Sequence, residues 1–171
     1  MSNSQQFCTF VLQGMLFGTP VTRVQEVILQ RPMTPVPLAP HVVRGLINLR
    51  GQIVMVLDLR RQLGFPDFAA GQSPVHLVVH TCNGPVSLLV DDIGNVLELD
   101  KEILQRPPET LRGFSREVLR GVYQLPEGLL LELDIDRVVD LWDLKKSLAQ
   151  NHVGPESNDS ANAVAMHKRG E

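Results

Sequence analysis

At 171 residues, with 43% hydrophobic and 20% charged side chains, the chain can build one domain with a real core or two small subdomains that share one, and global disorder is excluded. A net charge of -3 provides no overall positive field, which disfavours generic binding to nucleic acid or anionic lipid. The opening Met-Ser-Asn-Ser-Gln-Gln lacks the basic and apolar stretches of a signal peptide, and no apolar run approaches membrane-spanning length, so a cytoplasmic location is expected.

Aromatics make up only 5% of the chain, which leaves Val, Leu and Ile to fill the core and biases the short apolar runs toward strands. Cys8 and Cys82 are expected as reduced thiols in or near the core rather than as a disulfide. Phe7 to Leu12 alternates, pauses at Gly14 and resumes from Met15 to Phe17, predicting an opening hairpin. Thr19 then supplies a capping hydroxyl and Pro20 suits a first helical position. With Val21, Val24, Val27 and Ile28 at helical spacing, a short helix is predicted from Pro20 to Val27, with Glu26 near its end.

Pro32, Pro35, Pro37 and Pro40 forbid a regular helix and predict an extended connection, a better reading than a ligand for a proline-binding domain. Leu46 to Leu57 reads as two apolar strands around Arg50-Gly51-Gln52, where the glycine allows a tight reversal and Arg50 and Gln52 stand at the tip. Asp58 caps a short helix, Leu59 to Leu63, that Gly64 ends in the left-handed region. A loop of small residues runs from Phe65 to Pro74.

Val75 to Thr81 and Val86 to Val90 flank Asn83-Gly84, the sharpest hairpin signal in the chain. Val96 to Leu99 adds a strand, and Lys101 to Ser115 reads as irregular, broken by Pro107-Pro108. Gly121 to Leu125 and Leu129 to Leu133 flank the turn Pro126-Glu127-Gly128. Asp134 or Asp136 then caps a terminal helix whose apolar face is Ile135, Val138, Val139, Leu141, Trp142 and Leu148. From Asn151 the composition turns to Asn, Ser, Ala and Gly, which predicts a domain over residues 1–150 and a disordered tail over 151–171.

About nine or ten short strands with brief helices at the joints favour small barrels over a sandwich or an α/β sheet. Val54 to Leu59 and Leu130 to Ile135 echo one another, each an apolar strand running into an Asp-capped helix.

The residues bear on three function classes. A small hydrolase would draw on Asp91 and Asp92 with His76 and His80. The two histidines are four apart on a strand, a spacing that holds a metal on a helix but separates them here. Asp91, Asp92, Glu98 and Asp100, and also Glu132 and Asp134, read as solvent-facing carboxylates. Ser87 and Ser115 lack a glycine-flanked elbow, and there is no phosphate loop or Cys-x-x-Cys pair, so no catalytic residue, metal or cofactor is expected. A nucleic-acid-binding barrel is disfavoured by the acidic charge and scarce aromatics. The cluster Met166-His167-Lys168-Arg169 reads as a solvated tail end rather than a docking tag. What remains is an adaptor: Arg50 at its turn offers a planar fork of donors to another protein, or pairs locally with Glu26, or does both.

Val24-Gln25-Glu26-Val27, Gly45-Leu46-Ile47-Asn48-Leu49-Arg50-Gly51, Val56-Leu57-Asp58-Leu59-Arg60, Val90-Asp91 and Arg120-Gly121-Val122 together resemble the successive motifs of CheW-type chemotaxis coupling proteins, over residues 6–148. The resemblance implies a mainly β fold of two intertwined five-stranded SH3-like barrels on a common core with a C-terminal helix. It also implies a non-enzymatic adaptor that joins the cytoplasmic tip of chemoreceptors, the methyl-accepting proteins, to the regulatory domain of a CheA-type histidine kinase. Such an adaptor is recruited to membrane-associated bacterial receptor arrays and can meet other CheW-like subunits in their rings. Carried over position by position, the receptor-binding residues are Val21, Val24, Glu26, Asn48, Arg50, Ile93 and Val96, the apolar ones burying a receptor side chain and Asn48 and Arg50 bonding to it. Kinase binding is placed on the second barrel, around Val86, Leu88, Val90, Leu97 and Leu99. The chain departs from the family at Met55, where proline is common, at Thr19-Pro20, which replaces an apolar and acidic pair, and at Asp92-Ile93-Gly94-Asn95, which bears on the receptor's identity.

Overall fold

A computed structural model describes residues 3–110 and 114–141. The chain forms β1 (Ser4–Leu12), β2 (Met15–Pro20), β3 (Val24–Ile28), β4 (Val43–Leu49), β5 (Gln52–Asp58), α1 (Leu59–Leu63), β6 (Val75–Thr81), β7 (Gly84–Val90), β8 (Asp92–Asp100), α2 (Phe114–Val118), β9 (Leu119–Leu125) and β10 (Gly128–Leu133). A further helix, α3, covers residues 135–141. Two five-stranded sheets result, ordered β8-β1-β2-β10-β9 and β3-β6-β7-β5-β4. The chain starts the first sheet, builds the whole of the second, and returns to finish the first, so the two are intertwined as expected.

The sheets share one topology. In each, a hairpin (β1–β2 or β6–β7) pairs through its second strand, in parallel, with the last strand of another hairpin (β10 or β5). In each, the linker after the edge strand makes one isolated bridge onto the far hairpin, Thr34 to Leu46 and Gln105 to Val122. The echo between residues 54–59 and 130–135 is therefore structural. β5 runs into α1 with the Asp58 carboxylate accepting from the Arg61 N–H, and β10 runs into α3 with the Asp134 carboxylate accepting from the Arg137 N–H. Gly64 ends α1 at φ 78°.

Each sheet has a small core of its own, Ile47, Leu49, Val54, Val56, Val78 and Leu89 in the second and Phe7, Leu99, Tyr123 and Leu130 in the first. A larger cluster joins them, taking Phe10, Leu12 and Phe17 from the first sheet, Leu57, Leu77 and Leu88 from the second, and Ile135 and Val138 from α3. Strands buried on both faces lose the apolar–polar alternation, which explains Val75 to Val79 and Val86 to Val90, where the single polar residue of each, His76 and Ser87, is buried and paired with the other.

Several expectations are corrected. No helix spans Pro20 to Val27: a single 3-10 turn, Val21–Arg23, leads directly into β3. The valines that recur at helical spacing are β-branched, and pairing with β6 outweighs their periodicity, with a bulge between Val24 and Glu26. Thr19 caps nothing; it is a buried residue of β2. The β6–β7 turn is Cys82-Asn83, and Gly84 is the first residue of β7 at φ 110°. The Thr81 hydroxyl closes that turn, accepting from the Asn83 N–H and donating to the Gly84 carbonyl. Cys8 is buried, but Cys82 is exposed. Glu132 is not on a solvent face: it is 3% exposed, with Gly18 and Gly121 as its cross-strand neighbours, and burial pushes its carboxyl up from the usual range. Trp142, Leu148, the cluster 166–169 and the proposed tail 151–171 lie outside the described residues.

Asp91 is not a surface carboxylate either. It accepts from Arg60 through Nε and Nη2, both at 2.6 Å, and from the Gln13 N–H at 2.9 Å, while its own N–H donates to the Val11 carbonyl. The Arg60 and Asp91 side chains are 6% and 12% exposed, and Arg60 also lies over the Phe68 ring, 4.5 Å from its centroid. Removing one partner of such a pair leaves the other charge stranded. Asp91→Ala should lower the unfolding free energy by about 3 kcal/mol in chemical denaturation; a loss indistinguishable from zero would show that the pair holds nothing together.

Candidate functional site

The β4–β5 turn is built by its side chains as well as by its glycine. Arg50 and Gly51 both have positive φ, 51° and 89°, the geometry of the two-residue turn whose twist matches antiparallel strands. Gly51 adopts it freely, but Arg50 pays a steric cost there. The Asn48 side-chain oxygen offsets that cost by accepting from the Gly51 N–H at 2.8 Å. Asn48 is therefore half committed to the turn, and only its amide nitrogen carries donors for a partner.

Arg50 is 85% exposed, and its guanidinium lies 3.6 Å from the Glu26 carboxylate on β3. β3 and β4 are the two edges of the second sheet, and no backbone ladder joins them. Side chains span the opening instead: the Glu26–Arg50 pair, and Arg31, whose Nη2 donates to the Asn48 carbonyl at 2.6 Å. The sequence reading missed Arg31, since nothing in its proline-rich surroundings distinguishes it. An ion pair this exposed adds little stability, so its effect is to orient the arginine.

Of the other residues carried over for the receptor surface, Val21, Val24 and Ile93 are partly buried against the shared core, and Val96 is exposed on β8, an edge strand of the first sheet. The structure thus joins Glu26, Asn48 and Arg50 at one seam and places the four apolar residues on the 3-10 turn, β3 and β8.

The kinase-surface expectation fares differently. Val86, Leu88 and Val90 are core side chains of β7, a central strand, and Leu99 packs in the core of the first sheet. Leu97 is only partly buried against that core. The β7 side chains are thus taken up by the chain's own core, and of the five residues Leu97 is the one left partly accessible.

The hydrolase residues do not converge. Asp91 is held by Arg60, and exposed Asp92 accepts from the Ile93 N–H. His76 is buried with Nδ1 2.9 Å from the Ser87 hydroxyl, and burial, more than nearby Arg31, lowers its pKa, whereas His80 is exposed. None of the four lines either of two clefts, one polar cleft beside Arg23 and Arg120 and one larger apolar groove. Among the described residues, no three His, Cys, Asp or Glu side chains are grouped as metal ligands, and no helix is long and apolar enough to cross a membrane. Asn48→Ala should cost about 1 kcal/mol in denaturation through loss of the Gly51 clip, and Asn48→Asp, which keeps the acceptor, should retain most of it; equal losses in both variants would remove the clip from the account.

Comparison with known proteins agrees with this geometry. A family model described as a CheW-like domain matches residues 6–141. The chemotaxis protein CheW of Treponema pallidum is 26% identical over 150 residues, which cover 84% of this chain and 88% of that protein. The chemotaxis protein CheW of Klebsiella aerogenes is 28% identical over 150 residues, covering 86% and 90%. The crystal structure of the scaffolding protein TtCheW from Thermoanaerobacter tengcongensis matches with a TM-score of 0.73 at 22% identity, over 81% of this chain and 92% of that one. That likeness carries the fold, two five-stranded sheets of SH3-like type, and with the matched family domain it shows that the chain belongs to the CheW-like family of chemotaxis proteins.

Proposed function

We propose that the chain is a non-catalytic adaptor that couples the cytoplasmic tip of chemoreceptors to a CheA-type histidine kinase, and that it works at membrane-associated receptor arrays, where other CheW-like subunits are further neighbours. The observation that carries the receptor half is Arg50: an exposed guanidinium on a tight turn, in a conformation that costs a non-glycine residue, and oriented by Glu26 across the open seam of the second sheet. A costly backbone conformation at an exposed charged residue suits recognition better than stability.

The receptor-facing surface comprises Val21, Val24, Glu26, Asn48, Arg50, Ile93 and Val96. Exposed Val96 and partly buried Val21, Val24 and Ile93 offer apolar area to a receptor side chain. Arg50 supplies charge-assisted donors, and the Asn48 amide nitrogen supplies neutral ones. The scattering of Asp91, Asp92, His76 and His80 supports a role without chemistry, and the acidic net charge supports protein rather than nucleic acid as partner. The kinase contact is to be sought outside the buried face of β7.

Arg50→Asp places a like charge beside Glu26 and inverts the donor fork. Binding to purified receptor tips should weaken by about tenfold or more, with kinase binding and the fold unchanged. Unchanged receptor binding would remove Arg50 from the interface.

A further inference from the structure

The internal echo of the fold has one place where the two halves differ. In the second sheet Met55 pairs with Val86, Val56 with Ser87 and Leu57 with Leu88. In the first, Leu131 pairs with Phe17 and Glu132 with Gly18, so Leu133 and Thr19 hold the places of Leu57 and Leu88. The charges repeat as well. Arg44 pairs with the capping Asp58, and Arg120 with the capping Asp134. Two residues after each cap stands one member of a second ion pair whose partner lies just past the hairpin: Arg60 with Asp91 and, with the signs reversed, Asp136 with Arg23.

The second-sheet version of this joint is closed. Leu57 and Leu88 are buried in the shared core, and the Arg60 and Asp91 side chains are almost withdrawn from water. The first-sheet version is open, a cleft of about 190 Å³ whose lining includes Thr19, Arg23, Arg120, Leu133, Ile135 and Asp136. Its Arg23 and Asp136 side chains are 34% and 29% exposed. Where the closed joint has Leu88, the open one has Thr19, fully buried and with no hydrogen-bond partner for its hydroxyl among the described residues. Such an orphan hydroxyl costs free energy that a bound polar group recovers.

The free hydrogen-bonding groups of the cleft are mostly donors. The Asp136 carboxylate is already engaged, one oxygen accepting from Arg23 and the other from the Cys82 N–H. Among the described residues, Arg23 and Arg120 each donate through Nη2 alone, to Asp136 and to Asp134, which leaves Nε and Nη1 of both arginines. Beside these donors lie the apolar side chains of Leu133 and Ile135. A ligand with two acceptor oxygens on a short apolar stem matches that arrangement.

We propose that this cleft binds a carboxylate, its oxygens taking the free donors of Arg23 and Arg120 and the Thr19 hydroxyl, and its stem lying against Leu133 and Ile135. A free small acid and an acidic side chain of a docked protein share that chemistry.

The first probe is acetate, titrated into the full-length, isotope-labelled protein at constant ionic strength with chloride as the balancing anion. The second is a capped Gly-Asp-Gly peptide beside its Gly-Asn-Gly counterpart. Saturable resonance shifts should appear at the amides of Thr19, Arg23, Arg120 and Asp136, and the asparagine peptide should give none. Arg120→Gln should weaken binding about tenfold. Thr19→Val should weaken it severalfold without lowering the melting temperature, because the hydroxyl that it removes has no partner in the unliganded chain. Shifts that do not saturate, or that chloride alone reproduces, would mean an adventitious ion only and overturn the proposal, as would undiminished binding by either variant. Tighter binding of the aspartate peptide than of acetate assigns the site to a protein side chain; equal or weaker binding assigns it to a free acid. If Thr19→Val fails to fold, the exposed Arg120→Gln still decides. Neither receptor nor kinase enters the test, so its failure leaves the adaptor reading untouched.

Discussion

The chain crosses from the second sheet to the first at a single residue between β7 and β8, and that residue is Asp91. Its carboxylate holds Arg60 on α1 through two short bonds and also accepts from the turn between β1 and β2. Arg60 in turn donates to the carbonyls of Pro66 and Asp67 and lies over Phe68, so the loop after α1 is tied to the same point. Two small sheets with modest cores of their own depend on their relative placement to bury the larger shared cluster. The Arg60–Asp91 pair has little water access, and its hydrogen bonds run to α1, to the β1–β2 turn and to the loop after α1, so three segments meet at one point of the joint between the sheets.

The second sheet is left without a ladder between β3 and β4, and its seam is spanned by the Glu26–Arg50 pair and by Arg31 on the Asn48 carbonyl. The fold gains little from these exposed charges. Their effect is directional: the Arg50 backbone is held by the turn and its guanidinium by Glu26, so the side chain a partner would meet is partly pre-organised.

How much of this was legible in the sequence depended on how local the signal was. Turn chemistry at Gly14, Arg50-Gly51 and Pro126-Glu127, and the Asp58 cap, located hairpins and a helix start because each rests on a few adjacent residues, whereas the choice between Asp134 and Asp136 needed the geometry, which makes Asp134 the cap. Val21, Val24, Val27 and Ile28 misled because periodicity over so short a run cannot separate a helix from a bulged edge strand, and strand pairing is non-local. Val86, Leu88 and Val90 could be read as strand but not as covered on both faces, which depends on the second sheet. Asp91 and Glu132 looked like surface carboxylates for the same reason: their environment comes from Arg60, Gly18 and Gly121, distant in sequence. At the candidate site, the Glu26–Arg50 contact was open to a sequence reading, whereas the Asn48 clip and the Arg31 bond required the geometry.

On the proposed receptor-facing surface Arg50 supplies the donors and Glu26, besides lying on that surface, orients them, and a charge swap separates the donor fork from the ion pair. A chain carrying both Glu26→Arg and Arg50→Glu restores an opposite-charge pair across the seam without restoring the donor fork at the turn. Measured by equilibrium binding to purified receptor tips, with stability followed in parallel, the swapped protein should match the unmodified chain in stability to within about 1 kcal/mol yet fail to regain receptor affinity. Receptor binding at the unmodified level would contradict the account, because the pair would then matter only as a clasp between two strand edges.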